Sequence, residues 1–120
     1  MPVSKKTLIL EDYTLLALLI EDALFNAGYS DFVSCVNSKQ ALKAISENCF
    51  SWAILDYNLG FDSTSIAVAM ELKTLGVPFI FLSGYAGTNI IPAGLGEVAR
   101  VSKPFKPDEL LSYGEIYLAD

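Results

Sequence analysis

Acidic residues stand at two places where a buried strand gives way to something polar. Thr7-Leu8-Ile9-Leu10 runs into Glu11-Asp12, and Trp52-Ala53-Ile54-Leu55 runs into Asp56. Two later strand-like stretches end in a hydroxyl and a base: residues 77 to 82 lead to Ser83, and residues 98 to 102 lead to Lys103. Three carboxylates and one lysine suit a small hard cation, because magnesium takes one or two carboxylates, keeps water and bridges phosphate oxygens. A carboxylate is also a nucleophile toward a phosphoryl group, giving an aspartyl phosphate. Magnesium on one side and Lys103 on the other would neutralise the new charge. The Ser83 hydroxyl could donate a hydrogen bond to a phosphoryl oxygen.

This chemistry requires strand ends that meet. Residues 52 to 55 form a short continuous apolar run closed by Asn58 and Gly60, which reads as a parallel strand buried on both faces. Residues 7 to 10, 32 to 36, 77 to 82 and 98 to 102 read as further strands. Helices fill the intervals. In the first, Leu16, Leu19, Ile20, Ala23, Leu24 and Ala27 fall on one face, and Gly28 stops it. Ser38 caps the second, with Ala41, Leu42 and Ile45 inward. Ser63, Thr64 or Ser65 caps the third, with Ile66, Ala69 and Met70 inward and Gly76 at its end. Residues 88 to 97 hold Pro92, Gly94 and Gly96, so a helix there is short or irregular. The last helix starts near Pro107 and runs to about Leu118.

Strands alternating with helices imply an α/β fold with right-handed crossovers. The expectation is a flavodoxin-like, doubly wound, five-stranded parallel sheet of order 2-1-3-4-5 with helices on both faces. In that order the first and third strands are neighbours about 4.8 Å apart, so Glu11, Asp12 and Asp56 crowd one corner. Ser83 and Lys103 leave strands on the other side of Asp56.

Composition excludes several classes. At 120 residues, 52% hydrophobic and 18% charged, the chain reads as one domain, residues 1 to 120, with a real core. A net charge of −6 argues against nucleic acid as a partner. There is no histidine, which removes histidine general-base catalysis and the common zinc sites. Cys35 and Cys49 have no C-x-x-C spacing and read as buried or half-buried reduced thiols. No membrane span and no signal peptide is apparent, so the expected location is the cytoplasm.

The acidic pair Glu11-Asp12, the strand-ending Asp56, Ser83 and Lys103-Pro104-Phe105 together resemble a response-regulator receiver domain of two-component systems, from residue 7 onward. The resemblance implies Asp56 as phosphoacceptor, with Mg2+ held by Asp12, Asp56 and the backbone carbonyl of Asn58 and with Glu11 helping through water. It also implies a hydroxyl sensor at Ser83, a signalling lysine at Lys103 and a phosphoryl donor that is a histidine kinase or histidine phosphotransferase. Residues 77 to 85, Val-Pro-Phe-Ile-Phe-Leu-Ser-Gly-Tyr, are similar to the Pro-Phe-x-Phe-Ala-Thr-Gly-Tyr motif of the FATGUY single-domain regulators, with Leu82 and Ser83 in place of Ala-Thr. That group implies kinases of the HWE or HisKA2 type. Two departures stand out. Leu59-Gly60-Phe61-Asp62-Ser63-Thr64 replaces the usual Met-Pro-x-Met-Asp-Gly, and Arg100 occupies the aromatic switch position. Tyr85, between Gly84 and Gly87, is the expected substitute switch, and Arg100 a surface contact to partners. No output domain follows the last helix, so the expected output is contact with a downstream protein or onward phosphotransfer.

Three other readings compete. A haloacid-dehalogenase-like phosphatase, an enzyme, needs a carboxylate two residues after its nucleophile, and Asn58 cannot titrate. A flavin-binding domain needs a phosphate-holding loop after the first strand, where Glu11-Asp12 repels phosphate. A phosphorylation-independent docking module would share the fold, since fold alone does not fix function.

Overall fold

A computed structural model describes residues 5–57, 59, 64–83, 99–103 and 105–118. Within these lie five strands and four helices: β1 (Thr7–Leu10), α1 (Thr14–Asn26), β2 (Phe32–Cys35), α2 (Ser38–Glu47), β3 (Trp52–Asp56), α3 (Ile66–Leu75), β4 (Phe79–Ser83), β5 (Ala99–Ser102) and α4 (Pro107–Tyr117). The strands form one parallel sheet of order β2-β1-β3-β4-β5, the expected flavodoxin-like arrangement. The irregular helix expected over 88–97, Tyr85, Asn58 and Pro104 lie outside the described residues.

The central strands are buried along their whole length, as continuous apolar runs covered on both faces must be. Alternation along each strand divides the core into two layers. Leu8, Leu10, Ala53, Leu55, Phe79 and Phe81 pack under α2 and α3. Ile9, Trp52, Ile54, Ile80, Leu82 and Val101 pack under α1 and α4. Burial of this order, at about 25 cal/mol per Å² of apolar surface, is the main favourable term in folding.

Two helices end on the same device. Gly28 (φ 93°) and Gly76 (φ 76°) take the left-handed conformation that side chains avoid. The following N–H groups then reach back, Tyr29 to the Leu24 carbonyl at 2.8 Å and Val77 to the Leu72 carbonyl at 2.9 Å.

The helix faces differ from expectation. In α1 the buried residues are Ala17, Ile20 and Leu24, while Leu19 and Ala27 are exposed. In α2 they are Ala41, Ala44 and Ile45, with Leu42 exposed. In α3 they are Val68, Ala69 and Leu72, with Met70 exposed and Ile66 half-buried. These helices carry apolar residues on most sides, so periodicity alone admits more than one face. The cap of α2 is Asn37 rather than Ser38: its Oδ1 accepts from the Gln40 N–H at 2.8 Å, and the Gln40 side chain accepts from the Val36 N–H at 3.0 Å. Cys35 is buried, but Cys49 is exposed, and no disulfide joins them. Among the described residues no helix is long and apolar enough to cross a membrane.

Trp52 is locked at the opposite end of β3 from Asp56. Its Nε1–H donates to the Thr7 hydroxyl at 2.7 Å, with both residues fully buried. Gly114 of α4 lies against the ring; a Cβ there would stand 3.2 Å from Trp52 Cζ2. Thr7→Val keeps the shape but leaves the indole N–H without an acceptor, so stability should fall by about 1–3 kcal/mol. Urea unfolding measures this, with the slope unchanged. A loss below about 0.5 kcal/mol would show that the hydrogen bond does not hold the ring.

Candidate functional site

The β1–β3 register pairs Leu10 with Leu55, and one step further Glu11 comes level with Asp56. The outer ladders reach that level too: from β1 to β2 the Glu11 N–H donates to the Cys35 carbonyl at 3.0 Å, and from β3 to β4 the Tyr57 N–H donates to the Leu82 carbonyl at 2.9 Å. Ile9 and Ile54 face the layer under α1 and α4, so by two-residue alternation Glu11 and Asp56 emerge on that same side. On the far side of β3, the Lys103 N–H donates to the Ser83 carbonyl at 2.8 Å and carries the β4–β5 ladder one residue past β5. Val101 faces the α1 and α4 layer, and Lys103, two residues on, follows it.

These placements converge on one ammonium. Lys103 Nζ lies 3.0 Å from Asp56 Oδ1 and 3.1 Å from Glu11 Oε1. Both carboxylates are almost fully buried, whereas Lys103 keeps about a quarter of its side chain in solvent (23%). Glu11 Oε1 is close to the ammonium yet has no well-formed hydrogen bond. Its other oxygen receives a long 3.4 Å contact from the Tyr13 N–H.

The charges respond accordingly. Burial pushes the Glu11 carboxyl up to about 8 from an ordinary 4.5, and the neighbouring Asp56 pushes the same way; Lys103 opposes both and does not prevail. For Lys103, burial works to lower the ammonium pKa, but Asp56 and Glu11 together outweigh it and the net shift is upward.

Glu11, Asp12 and Asp56 each bring one carboxylate oxygen to within 4.8 Å of the others. Asp12 is exposed, so this corner opens to solvent. A set of hard oxygen donors, one of them a buried oxygen that accepts no hydrogen bond, fits a small divalent cation. Of the remaining expected residues, Ser83 is buried at the end of β4, one step beyond the Asp56–Leu82 pair. Arg100 is exposed on β5, in register with Phe81. The Asn58 carbonyl and Tyr85 lie outside the described residues. The reach of Lys103 past Asp56 to Glu11 was not anticipated from sequence. It depends on where the chain leaves β5, for which spacing gives no signal.

No family model matches the chain, and no curated protein matches it. Solved structures do. SdrG from Sphingomonas melonis Fr1 is 26% identical, with 99% of this chain and 100% of that one covered and a TM-score of 0.81. A CheY-like response regulator receiver domain protein from Methanospirillum hungatei JF-1 is 24% identical, covering 97% and 94%, with a TM-score of 0.83. The receiver domain of the Francisella response regulator 1452 is 24% identical, covering 95% and 96%, with a TM-score of 0.79. The fold is therefore the one that response-regulator receiver domains share.

A buried carboxyl that prefers its proton makes stability depend on pH. The contribution of Glu11 is fully present below pH 4.5, where the unfolded chain also holds the proton, and is lost as pH rises toward about 8. In metal-free buffer Glu11→Gln removes this loss. Its stability relative to wild type should grow between pH 5 and pH 8 by on the order of 2 kcal/mol. A constant difference across that range in chemical denaturation would place Glu11 in an ordinary ionised state.

Proposed function

We propose that the chain is a receiver domain of a two-component phosphorelay and that Asp56 accepts the phosphoryl group. The observation that carries this reading is the Lys103 ammonium bridging Asp56 and Glu11 at the carboxyl edge of the sheet, with Asp12 alongside. The edge is the ligand-binding side of open α/β sheets. The donor is a phosphohistidine on a histidine kinase or histidine phosphotransferase. An Asp56 carboxylate oxygen attacks phosphorus as the P–N bond breaks, and the electron pair leaves with the imidazole nitrogen, which ends protonated. Asp12, Asp56 and the Asn58 carbonyl, with Glu11 helping, would hold Mg2+, and the bound cation would neutralise the phosphoryl oxygens.

The chain's own residues position and signal. Lys103, already within 3.0 Å of Asp56, pairs with the incoming phosphoryl oxygens as a mobile point charge. Ser83 donates its hydroxyl to one of them. The chain signals by protein contact rather than turning over a substrate, and its location is the cytoplasm. The motif over 77 to 85 supports a FATGUY-type regulator working with an HWE or HisKA2 kinase. Arg100, an exposed cation, does not act as the buried aromatic switch, since a desolvated guanidinium needs a partner. Tyr85, beside Gly84, takes that role, and Arg100 contacts partners.

With Mg2+ and acetyl phosphate, intact mass should show one added phosphoryl group on wild type, none on Asp56→Ala, and none on wild type in EDTA. Uptake by Asp56→Ala would move the acceptor elsewhere. No uptake by wild type from acetyl phosphate or any histidine-kinase donor would leave the phosphorylation-independent docking module as the better reading.

The switch has its own readout. Tyr85→Ala should keep phosphate uptake within about twofold while losing the phosphorylation-dependent gain in partner affinity, a factor of about 10 for each 1.4 kcal/mol of coupling. A gain that survives in Tyr85→Ala places the switch elsewhere.

A further inference from the structure

Among the described residues no strand pairs with the outer side of β2, which is one edge of the sheet. Native edges are commonly guarded by lysine, proline or an inward charge. β2 reads Phe-Val-Ser-Cys and has none of these. Its inner side is fixed by the ladder to β1: the Asp31 and Cys35 carbonyls accept from the Thr7 and Glu11 N–H groups, each at 3.0 Å. Odd-numbered residues therefore turn their backbone groups inward, and Phe32, Ser34 and Val36 turn theirs outward. The Val36 N–H is held by the Gln40 side chain at 3.0 Å.

The surroundings of this edge repeat in mirrored order about Ser34. On one face the Ser34 hydroxyl donates to Glu21 Oε2 at 3.0 Å and sets Glu21 of α1 over the strand. α1 runs back antiparallel to β2, and Leu18 and Phe25 stand one turn to either side of Glu21 on the same face of the helix. Both are more than half exposed, at 55% and 63%. On the other face Gln40, Lys43 and Glu47 form one row of α2, and the Gln40–Val36 bond turns that row toward the edge. Along the strand itself, exposed Asp31 precedes Phe32, and exposed Lys39 stands in the first turn of α2.

We propose that β2 pairs with β2 of a second copy of this chain, antiparallel across a two-fold axis through Ser34, joining two five-stranded sheets into one. On the axis the two Ser34 residues exchange both backbone hydrogen bonds. Each Phe32 N–H meets the Val36 carbonyl of the other copy, which leaves the Gln40–Val36 bond intact. The same axis sets Leu18 against Phe25 of the second copy, Glu47 beside its Lys43, and Asp31 beside its Lys39. A second copy is the occupant because of this order: turned end for end, the edge offers an apolar residue to each apolar residue and a lysine to Asp31 and to Glu47. An unrelated strand would find the backbone groups but not the order. One contact opposes the rest, since Glu21 meets Glu21 of the second copy near the axis and like charges there cost affinity. The contact is isologous, so it closes at the dimer. It uses no residue of the Asp56 site and does not depend on the function proposed for that site.

Sedimentation velocity on the whole chain tests this at roughly 300 μM, above a Kd on the order of 50 μM for a small contact of this kind. Wild type should sediment as a dimer that grows no further. Ser34→Pro removes the axial N–H, which faces away from β1, so the chain should keep its sheet and become monomeric; circular dichroism checks the fold. Leu18→Glu, at an exposed position, should weaken the dimer by about tenfold. Adding Phe25→Lys to that variant should restore the affinity to within about threefold of wild type, because the axis pairs position 18 with position 25. Glu21→Gln removes the axial repulsion and should tighten the dimer by about threefold or more. If Ser34→Pro fails to fold, Leu18→Glu and its rescue make the same comparison. A monomeric wild type, growth past the dimer, a folded Ser34→Pro that still dimerises, a Leu18→Glu that dimerises as wild type does or is not rescued by Phe25→Lys, or a Glu21→Gln no tighter than wild type would each overturn the proposal.

Discussion

One ammonium between two buried carboxylates is the constraint on which the rest depends. Glu11 and Asp56 have lost nearly all their water, and removing a carboxylate from water costs several kcal/mol unless a partner replaces it. Lys103 supplies that partner to both, at 3.1 and 3.0 Å. The replacement is incomplete, because Glu11 Oε1 still accepts no hydrogen bond and burial still favours its neutral form. Glu11 therefore keeps its proton through the neutral range, while the Lys103 ammonium stands against Asp56.

The sheet exists in the form that makes this convergence possible. β1 and β3 must be adjacent for Glu11 to come level with Asp56, which the 2-1-3-4-5 order secures. Their flanks must be apolar on both sides to hold that register, since a one-residue slip would turn Asp56 into the layer under α2 and α3. The Lys103–Ser83 backbone hydrogen bond extends the far side of the sheet by one residue and so delivers the lysine. At the other end, Trp52 fills the space beneath α4, where Gly114 allows the close approach. The polar edge is thus carried on a strand that is anchored at its apolar end.

Strands and strand order were legible because the three central strands are apolar runs closed by a polar residue, and parallel sheets leave few alternatives. Glu11 and Asp56 were legible for the same reason, since each closes such a run, and Lys103 through the Lys103-Pro104-Phe105 motif. Helix faces were not. With Leu15, Leu16, Leu18, Leu19 and Ile20 in succession, several faces of α1 satisfy a 3.6-residue period, and only tertiary packing selects Ala17, Ile20 and Leu24. The cap of α2 was shifted by one because Asn37 and Ser38 are both good capping residues, and the Gln40 side chain decides between them. The exposure of Cys49 and the reach of Lys103 to Glu11 depend on loop paths that local sequence does not encode.

Carbon-13 NMR titration of the Glu11 side-chain carboxyl, in metal-free buffer and again with excess Mg2+, tests the electrostatic core of this account most directly. The account predicts an inflection near pH 8 without metal, moving toward the ordinary range of 4 to 5 once the cation is present. A Glu11 that titrates in the ordinary range without metal, or an inflection that Mg2+ leaves unmoved, would contradict it.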